Sequence, residues 1–301
     1  MRLLTRGDLD GLTCAVIITS NEKIEEIKLI HPQDITDSRV EIRKNDILAN
    51  VPYHPNCAKW FDHHLQTDNN PKAPETFDGA YGHAPSAAGL AYKYYGGESK
   101  MPQFAELVRE TDRLDSAELT RDDIENPTGT ILLGYTIDSR SGFGAFEEYF
   151  NLLLDLLKSK PVEQILQHPD VKARCEQFLA ENAKFREALR AHSRVDGNVV
   201  ITDFRNADRI PRGNRFLVYT LFPDVNVSVR LHWGPERRFV VAAIGHSILN
   251  RTCQTNIGEL VSCYGGGGHF GAGTTPLPPE KTDSALEAIV EELKRKVSVF
   301  V

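Results

Sequence analysis

The chain has 301 residues, of which 41% are hydrophobic and 26% charged, a length and balance suited to two ordinary domains with sizeable cores. Its formal net charge of −7 argues against a stable duplex-DNA binder, which needs a basic face, but leaves room for a small anionic substrate held by metal ions and a few local cations. No apolar run is long enough to span a membrane, and the opening MRLLTRGDLDG has too short an apolar part for a secretion signal, so a cytoplasmic location is expected. Cys14, Cys57, Cys175, Cys253 and Cys263 form no C-x-x-C pair, so neither a zinc knuckle nor a disulfide framework is suggested, and reduced, buried thiols are expected.

In chain order, MRLLT reads as a short apolar strand and GLTCAVIITSN as a helix with apolar residues on one face. EEIKLIHP is a second strand stopped by Pro32, DILANVP a third stopped by Pro52, and AKWFDHH a fourth. SAAGLAYKYYGG is a helix with Ser86 as N-cap and Gly96 at its C-terminal end, and MPQFAELVRETDRLD is another. Strands separated by helices predict an α/β fold with a doubly wound parallel sheet. Two long helical patterns follow, GAFEEYFNLLLDLLKSK and VKARCEQFLAENAKFREALRAH. From about Gly197 strands return as NVVITDF, VNVSVRLHW and RFVVAAIG, and LVSCYGGGGHFGAG reads as a helix end running into a glycine-rich loop. The expected organisation is a parallel-sheet domain at 1–160, a helical connector at 161–195 and a smaller α/β domain at 196–301. The stretch 164–194 suits either a homodimer contact or packing within its own chain.

In parallel α/β sheets ligands bind beyond the carboxyl ends of the strands. GDLDG, HPQD, NVPYHPN and DHH each follow an apolar run, which directs them to one site. Asp8 and Asp10 flank a turn that Gly11 permits, and two carboxylates that close repel unless a cation stands between them. His63 and His64 are imidazoles suited to manganese, cobalt or zinc, with Asp62 placed to orient a ligating ring. Asp112 in RETDRLDS is a weaker candidate, since taken alone such a residue is more often a surface helix aspartate. In YGGGGHFGAG the glycines let backbone N–H groups approach an anion, and His269 can donate to a phosphate oxygen.

These motifs, in this order and across nearly the whole chain, resemble the DHH phosphoesterase superfamily of RecJ-type exonucleases, oligoribonucleases, cyclic-dinucleotide phosphodiesterases and exopolyphosphatases. GDLDG resembles the first family motif, H-x-D-x-D-G; DHH is the name-giving motif; GGGGHFGAG resembles the glycine motif of the DHH-associated C-terminal domain; SAAGLAYKYYG resembles the helix that follows DHH. The resemblance implies two α/β domains joined by a helix, with a small phosphorylated substrate in the cleft between them. It also implies hydrolysis of a phosphodiester or phosphoanhydride at two divalent ions, manganese first, with magnesium or cobalt as alternatives. Position by position it implies Asp8, Asp10, His63 and Asp112 as metal ligands, and His64 beside substrate or metal. Gly266, Gly267, Gly268 and His269 match the phosphate-contacting loop, and Arg251 falls roughly where that domain supplies an arginine.

Two positions depart from the family pattern. Arg6 stands where the first motif has histidine, and a guanidinium cannot ligate a metal. Asn50 stands where a bridging aspartate is expected; its amide oxygen can ligate but brings no charge. Two divalent ions about 4 Å apart repel by roughly 17 kcal/mol at an effective dielectric of about 20, and bridging carboxylates normally offset this. The expectation is therefore one or two ions, with the site of Asp10, His63 and Asp112 kept and its neighbour weak or lost. Arg6 then clamps a phosphate oxygen, and Asp46 or His54 are the candidate replacement ligands. Two functions follow: a metal-dependent phosphohydrolase with a partly degenerate centre or, as the alternative, a catalytically impaired sensor that binds a nucleotide or polyphosphate.

Overall fold

The computed structural model describes residues 1–65, 71–137 and 145–295. The chain forms two compact units, 1–119 with 127–176 and 120–126 with 177–301. The boundary falls inside the helix Pro169–His192, which contributes to both. Among the described residues no helix is long and apolar enough to cross a membrane.

The first unit is built on five strands: β1 (Arg2–Thr5), β2 (Glu26–Leu29), β3 (Asp46–Ala49), β4 (Lys59–Asp62) and β5 (Gly79–Tyr81). All pair in parallel, in the order β2-β1-β3-β4-β5. β1 and β3 are buried along their whole length, as central strands covered on both faces must be, whereas β2 alternates because it lies at an edge. The helix Leu9–Asn21 is buried from Leu9 through Ile18, since it touches the sheet on one side and the helices Ala87–Tyr94, Ala105–Asp115 and Phe146–Ser159 on others. The strand order reverses direction between β1 and β3, so the turns that leave these strands open a crevice at their carboxyl ends. The sequence pattern does not announce β5, because three residues carry no readable period.

At the opposite end of the same strands, Arg2 and Asp46 are register partners. Arg2 donates from Nε to Asp46 Oδ1 at 3.0 Å and from Nη2 to Oδ2 at 2.6 Å, and Asp46 also accepts from Arg43 N at 2.7 Å. Asp46 is thus not a replacement metal ligand: its carboxylate is committed at the amino end of β3, a strand length from the crevice. Breaking this pair leaves a charge that is 1% exposed without its partner. Arg2→Ala is expected to lower unfolding stability by about 3–5 kcal/mol in urea titrations, with little effect on metal affinity.

The second unit carries β6 (Ser193–Asp196), β7 (Val199–Asp203), β8 (Val227–Trp233), β9 (Val240–His246), β10 (Gly267–His269) and β11 (Ala272–Leu277). They lie in the order β10-β11-β9-β8-β7-β6, antiparallel except for the parallel pair β7–β8. β8 and β9 alternate buried and half-buried residues, and their inner face packs on the helices Ile257–Ser262 and Thr282–Arg295 through residues such as Val229, Ile244, Ile257 and Ile289. The glycine tract corrects the sequence expectation. It is not an open loop: Gly267, Gly268 and His269 form an edge strand against β11, with Phe270 and Gly271 as the connection. A β-carbon on Gly268 would lie 2.3 Å from the Ala272 carbonyl oxygen, and one on Gly266 would lie 2.2 Å from that of Thr274. Close backbone approach within the hairpin therefore already demands glycine at these two positions.

Candidate metal centre

The turn after β1 delivers two carboxylates. Asp8 is the N-cap of the helix Leu9–Asn21 and accepts from Gly11 N at 2.9 Å. Asp10, in the first turn, is 2% exposed. It accepts from Ala87 N at 3.0 Å and from Ala88 N at 2.7 Å, the free N–H groups opening the helix Ala87–Tyr94. That helix end favours a negative charge. Burial and the neighbouring Asp115 and Asp8 carboxylates nevertheless push the Asp10 carboxyl well above the usual range.

His63 follows β4. Its Nδ1 donates to the Ala84 carbonyl oxygen at 3.0 Å, which leaves the lone pair of the neutral ring on Nε2. Nε2 lies 3.1 Å from Asp115 Oδ2 and 3.7 Å from Asp10 Oδ2, yet it is buried without an aligned hydrogen-bond partner. Burial alone would lower the His63 pKa; the carboxylates of Asp115 and Asp10 reverse this and push it up to about 9. A ring nitrogen and two carboxylates thus converge, with ligand atoms of Asp10, His63 and Asp115 all within 4.8 Å of one another. Two carboxylates this close repel unless a cation stands among them; the raised His63 pKa supplies it as a proton on Nε2, and a metal ion would take that proton's place. The donor set of imidazole and carboxylates fits a divalent ion of the manganese or cobalt kind.

Asp115, which the sequence pattern does not single out, lies with Asp10 and His63. Asp112 and Asp115 both lie on the helix Ala105–Asp115. Asp112 instead accepts from Ser86 Oγ at 2.5 Å, and Ser86 caps the helix Ala87–Tyr94 by accepting from Gly89 N at 2.9 Å. Asp112 therefore fixes the helix end that holds Asp10, and a β-carbon on Gly89 would meet it at 2.8 Å. Residues three apart on a helix share a face, so TDRLD offers two candidates that sequence spacing does not separate. Sequence reasoning misses Asp115 for that reason.

Arg6 lies against Asp8, its Nε 3.0 Å from Asp8 Oδ2. Asn50 donates from Nδ2 to Asp8 Oδ1 at 3.0 Å, while its own Oδ1 is buried without a partner. Asn50 leaves β3 at φ 59°, a left-handed conformation that asparagine tolerates better than most residues. Asp62 supports a different ring from the metal-facing one: it accepts from His64 Nδ1 at 2.8 Å, and His64 Nε2 is 3.4 Å from Arg6 Nη1. The partner that orients His63 is the Ala84 carbonyl. His54 accepts from Asn56 N at 3.2 Å within its own turn and is not part of the converging group. In the second unit, Arg251 donates from Nε to the Ile248 carbonyl oxygen at 3.2 Å, and His269 Nδ1 accepts from Gly271 N at 3.2 Å.

A carboxylate–imidazole centre at the switch point of a parallel sheet is the equipment of a metal-dependent phosphohydrolase. No family model and no curated protein matches the chain. Among solved structures, the pGpG-specific phosphodiesterase PggH from Vibrio cholerae is 37% identical over 98% of this chain and 99% of that one, with a TM-score of 0.84. An exopolyphosphatase-related protein from Bacteroides fragilis is 15% identical over 98% of this chain and 93% of its own, with a TM-score of 0.55. RecJ from Thermus thermophilus, in complex with Mn2+, is 12% identical over 98% of this chain and 52% of its own, with a TM-score of 0.59; these two share the fold. The chain belongs to the DHH phosphoesterase superfamily.

Proposed function

We propose that the protein is a phosphodiesterase acting on a short 5′-phosphorylated dinucleotide of the pGpG kind, at a centre that holds one divalent ion. The observation that carries the catalytic part is the convergence of Asp10, His63 and Asp115 around the unpartnered His63 Nε2. The likeness to PggH supports the substrate class. The one-ion reading is supported by the second half of the crevice. There Asp8 is engaged by Arg6 and by the Asn50 amide, so a fixed positive charge already neutralises a carboxylate that a second cation would use. When bound, the divalent ion supplies Lewis acidity and an acidified water.

The chain's own groups do the rest. Arg6 offers its remaining N–H groups and its charge to a non-bridging phosphate oxygen. His64, with Nδ1–H donated to Asp62 and its ring held in that tautomer, exchanges a proton at Nε2. The glycine hairpin with Gly266, Gly267, Gly268 and His269, together with Arg251, contributes contacts to the rest of the substrate. Manganese is the proposed ion and the cytoplasm the proposed location.

The Arg6–Asp8 pair also supports the alternative of a binding protein that no longer turns over. The two separate in one assay: pGpG incubated with the full chain and Mn2+, with and without excess EDTA. Manganese-dependent release of GMP, abolished by EDTA, is the expected result. Tight pGpG binding with no GMP under any metal would establish the sensor reading instead.

A further inference from the structure

Tyr81 ends β5 and is 36% exposed, although its ring stacks on that of Trp60, with centroids 4.6 Å apart and planes at 17°. Trp60 is itself 0% exposed and fixed in place. Its Nε1 donates to the Val51 carbonyl oxygen at 2.8 Å, and the rings of Tyr53 and Phe77 meet it with centroids 5.3 Å away in each case. One face of Tyr81 is therefore held against a rigid buried ring, and its exposure belongs to the opposite face and the hydroxyl edge. Among the described residues, a β-carbon on the following Gly82 would meet no atom within 4 Å, so there is open space where the chain leaves the ring. Tyr81 is the register partner of Asp62 on the neighbouring strand, which lies about 4.8 Å away. Asp62 in turn holds His64, whose Nε2 is 3.4 Å from Arg6 Nη1. The open face of Tyr81 thus stands at the carboxyl end of β5, on the side of the crevice that carries His64.

Covering Trp60 requires only an apolar side chain, which leucine would supply. A ring with one face fixed and the other open supplies a stacking surface as well. The face of an aromatic ring is the negative side of its quadrupole, so it offers nothing to an inorganic phosphate chain. Every nucleobase, by contrast, has a face that stacks on it. A dinucleotide carries a base on each side of its phosphodiester, so a base surface is needed close to the group that exchanges a proton with that linkage. We infer that Tyr81 is the stacking residue for one base of the substrate, seated in the first unit beside His64. Because Trp60 already holds the ring, little side-chain freedom is lost when a base stacks on it. The inference rests on the proposed dinucleotide substrate for its ligand class, while its geometry rests on the Trp60–Tyr81 stack and the pairing of β4 with β5.

The test is calorimetric binding of pGpG and of inorganic tripolyphosphate to the full chain in EDTA, for the native protein, Tyr81→Leu and Tyr81→Phe, with turnover of pGpG in Mn2+ measured alongside. Tyr81→Leu keeps an apolar cover over Trp60 but removes the ring. It is expected to weaken pGpG about five-fold or more and to leave tripolyphosphate unchanged, and Tyr81→Phe to restore the lost affinity. Under turnover the loss falls on KM more than on kcat. A smaller loss for pGpG, equal weakening of both ligands, failure of Tyr81→Phe to restore affinity, or no binding of pGpG by the native chain would each overturn the inference. Tyr81-dependent binding of pGpG without hydrolysis would sink the catalytic reading and leave the stacking role standing. Hydrolysis of pGpG with Tyr81-independent binding would do the reverse.

Discussion

Asp10→Asn is expected to abolish manganese binding and to lower turnover by more than about a hundred-fold, the upper range for losing a group that merely supports a ligand. The same substitution is expected to change the stability of the metal-free protein by no more than about 1 kcal/mol. The two halves of this result have one cause. Asp10 is a buried carboxylate whose ionised form is opposed by burial and by Asp115 and Asp8. An amide of the same shape removes that charge, which favours folding, but its single oxygen can no longer accept from both Ala87 N and Ala88 N as the two carboxylate oxygens do. The effects on folding offset each other, while the charge that would attract the ion is lost. Thermal melts with and without Mn2+ check it: the native chain gains melting temperature with the metal, and Asp10→Asn gains none. A variant that melts far below the metal-free native chain would instead assign Asp10 a mainly structural role.

Gly11→Ala is expected to cost about 3 kcal/mol or more and to weaken metal binding with it. The β-carbon would lie 2.1 Å from the Arg6 carbonyl oxygen and 2.8 Å from Thr5 Oγ1. The first of these atoms is backbone and cannot rotate away. Relief requires the helix Leu9–Asn21 to separate from the turn after β1, and that turn holds Asp8 and its cap to Gly11 N at 2.9 Å. The last glycine of GDLDG is therefore needed for close approach, and both carboxylates depend on it for position. Urea denaturation together with manganese titration measures the two effects; a native-like midpoint with native metal affinity would contradict the account.

β1 to β4, the helix Leu9–Asn21 and the inner strands β7, β8 and β9 are legible in the sequence, because their apolar runs are bounded by proline, glycine and capping residues; β6, β10, β11 and the short helix Pro32–Thr36 are not. Ser86 is readable as an N-cap, and it does accept from Gly89 N. What escapes has specific causes. Asp112 and Asp115 are one helical turn apart, and spacing does not reveal that the first is bonded by Ser86 while the second joins Asp10 and His63. Asp46 looks available because nothing in DILANVP shows that its carboxylate lies beside Arg2 in the neighbouring strand. The glycine tract carries a phosphate-loop pattern, yet glycine at 266 and 268 also satisfies the close contacts of a hairpin, so composition alone does not distinguish loop from strand. Asp62 is expected from its spacing to steady a metal-facing ring, whereas the turn after β4 hands its carboxylate to His64.

The central claim is that the Asp10–His63–Asp115 group holds a single divalent ion because Arg6 and Asn50 have replaced what a second would need. The most direct measurement is the stoichiometry of Mn2+ binding by isothermal titration, on the native chain and on Arg6→His combined with Asn50→Asp. The account predicts about one ion per native chain and about two in the doubly substituted chain, since the exchange restores an imidazole and a carboxylate to the crevice. Two tightly held ions in the native chain would contradict it, and would make the protein an ordinary two-metal phosphoesterase despite Arg6.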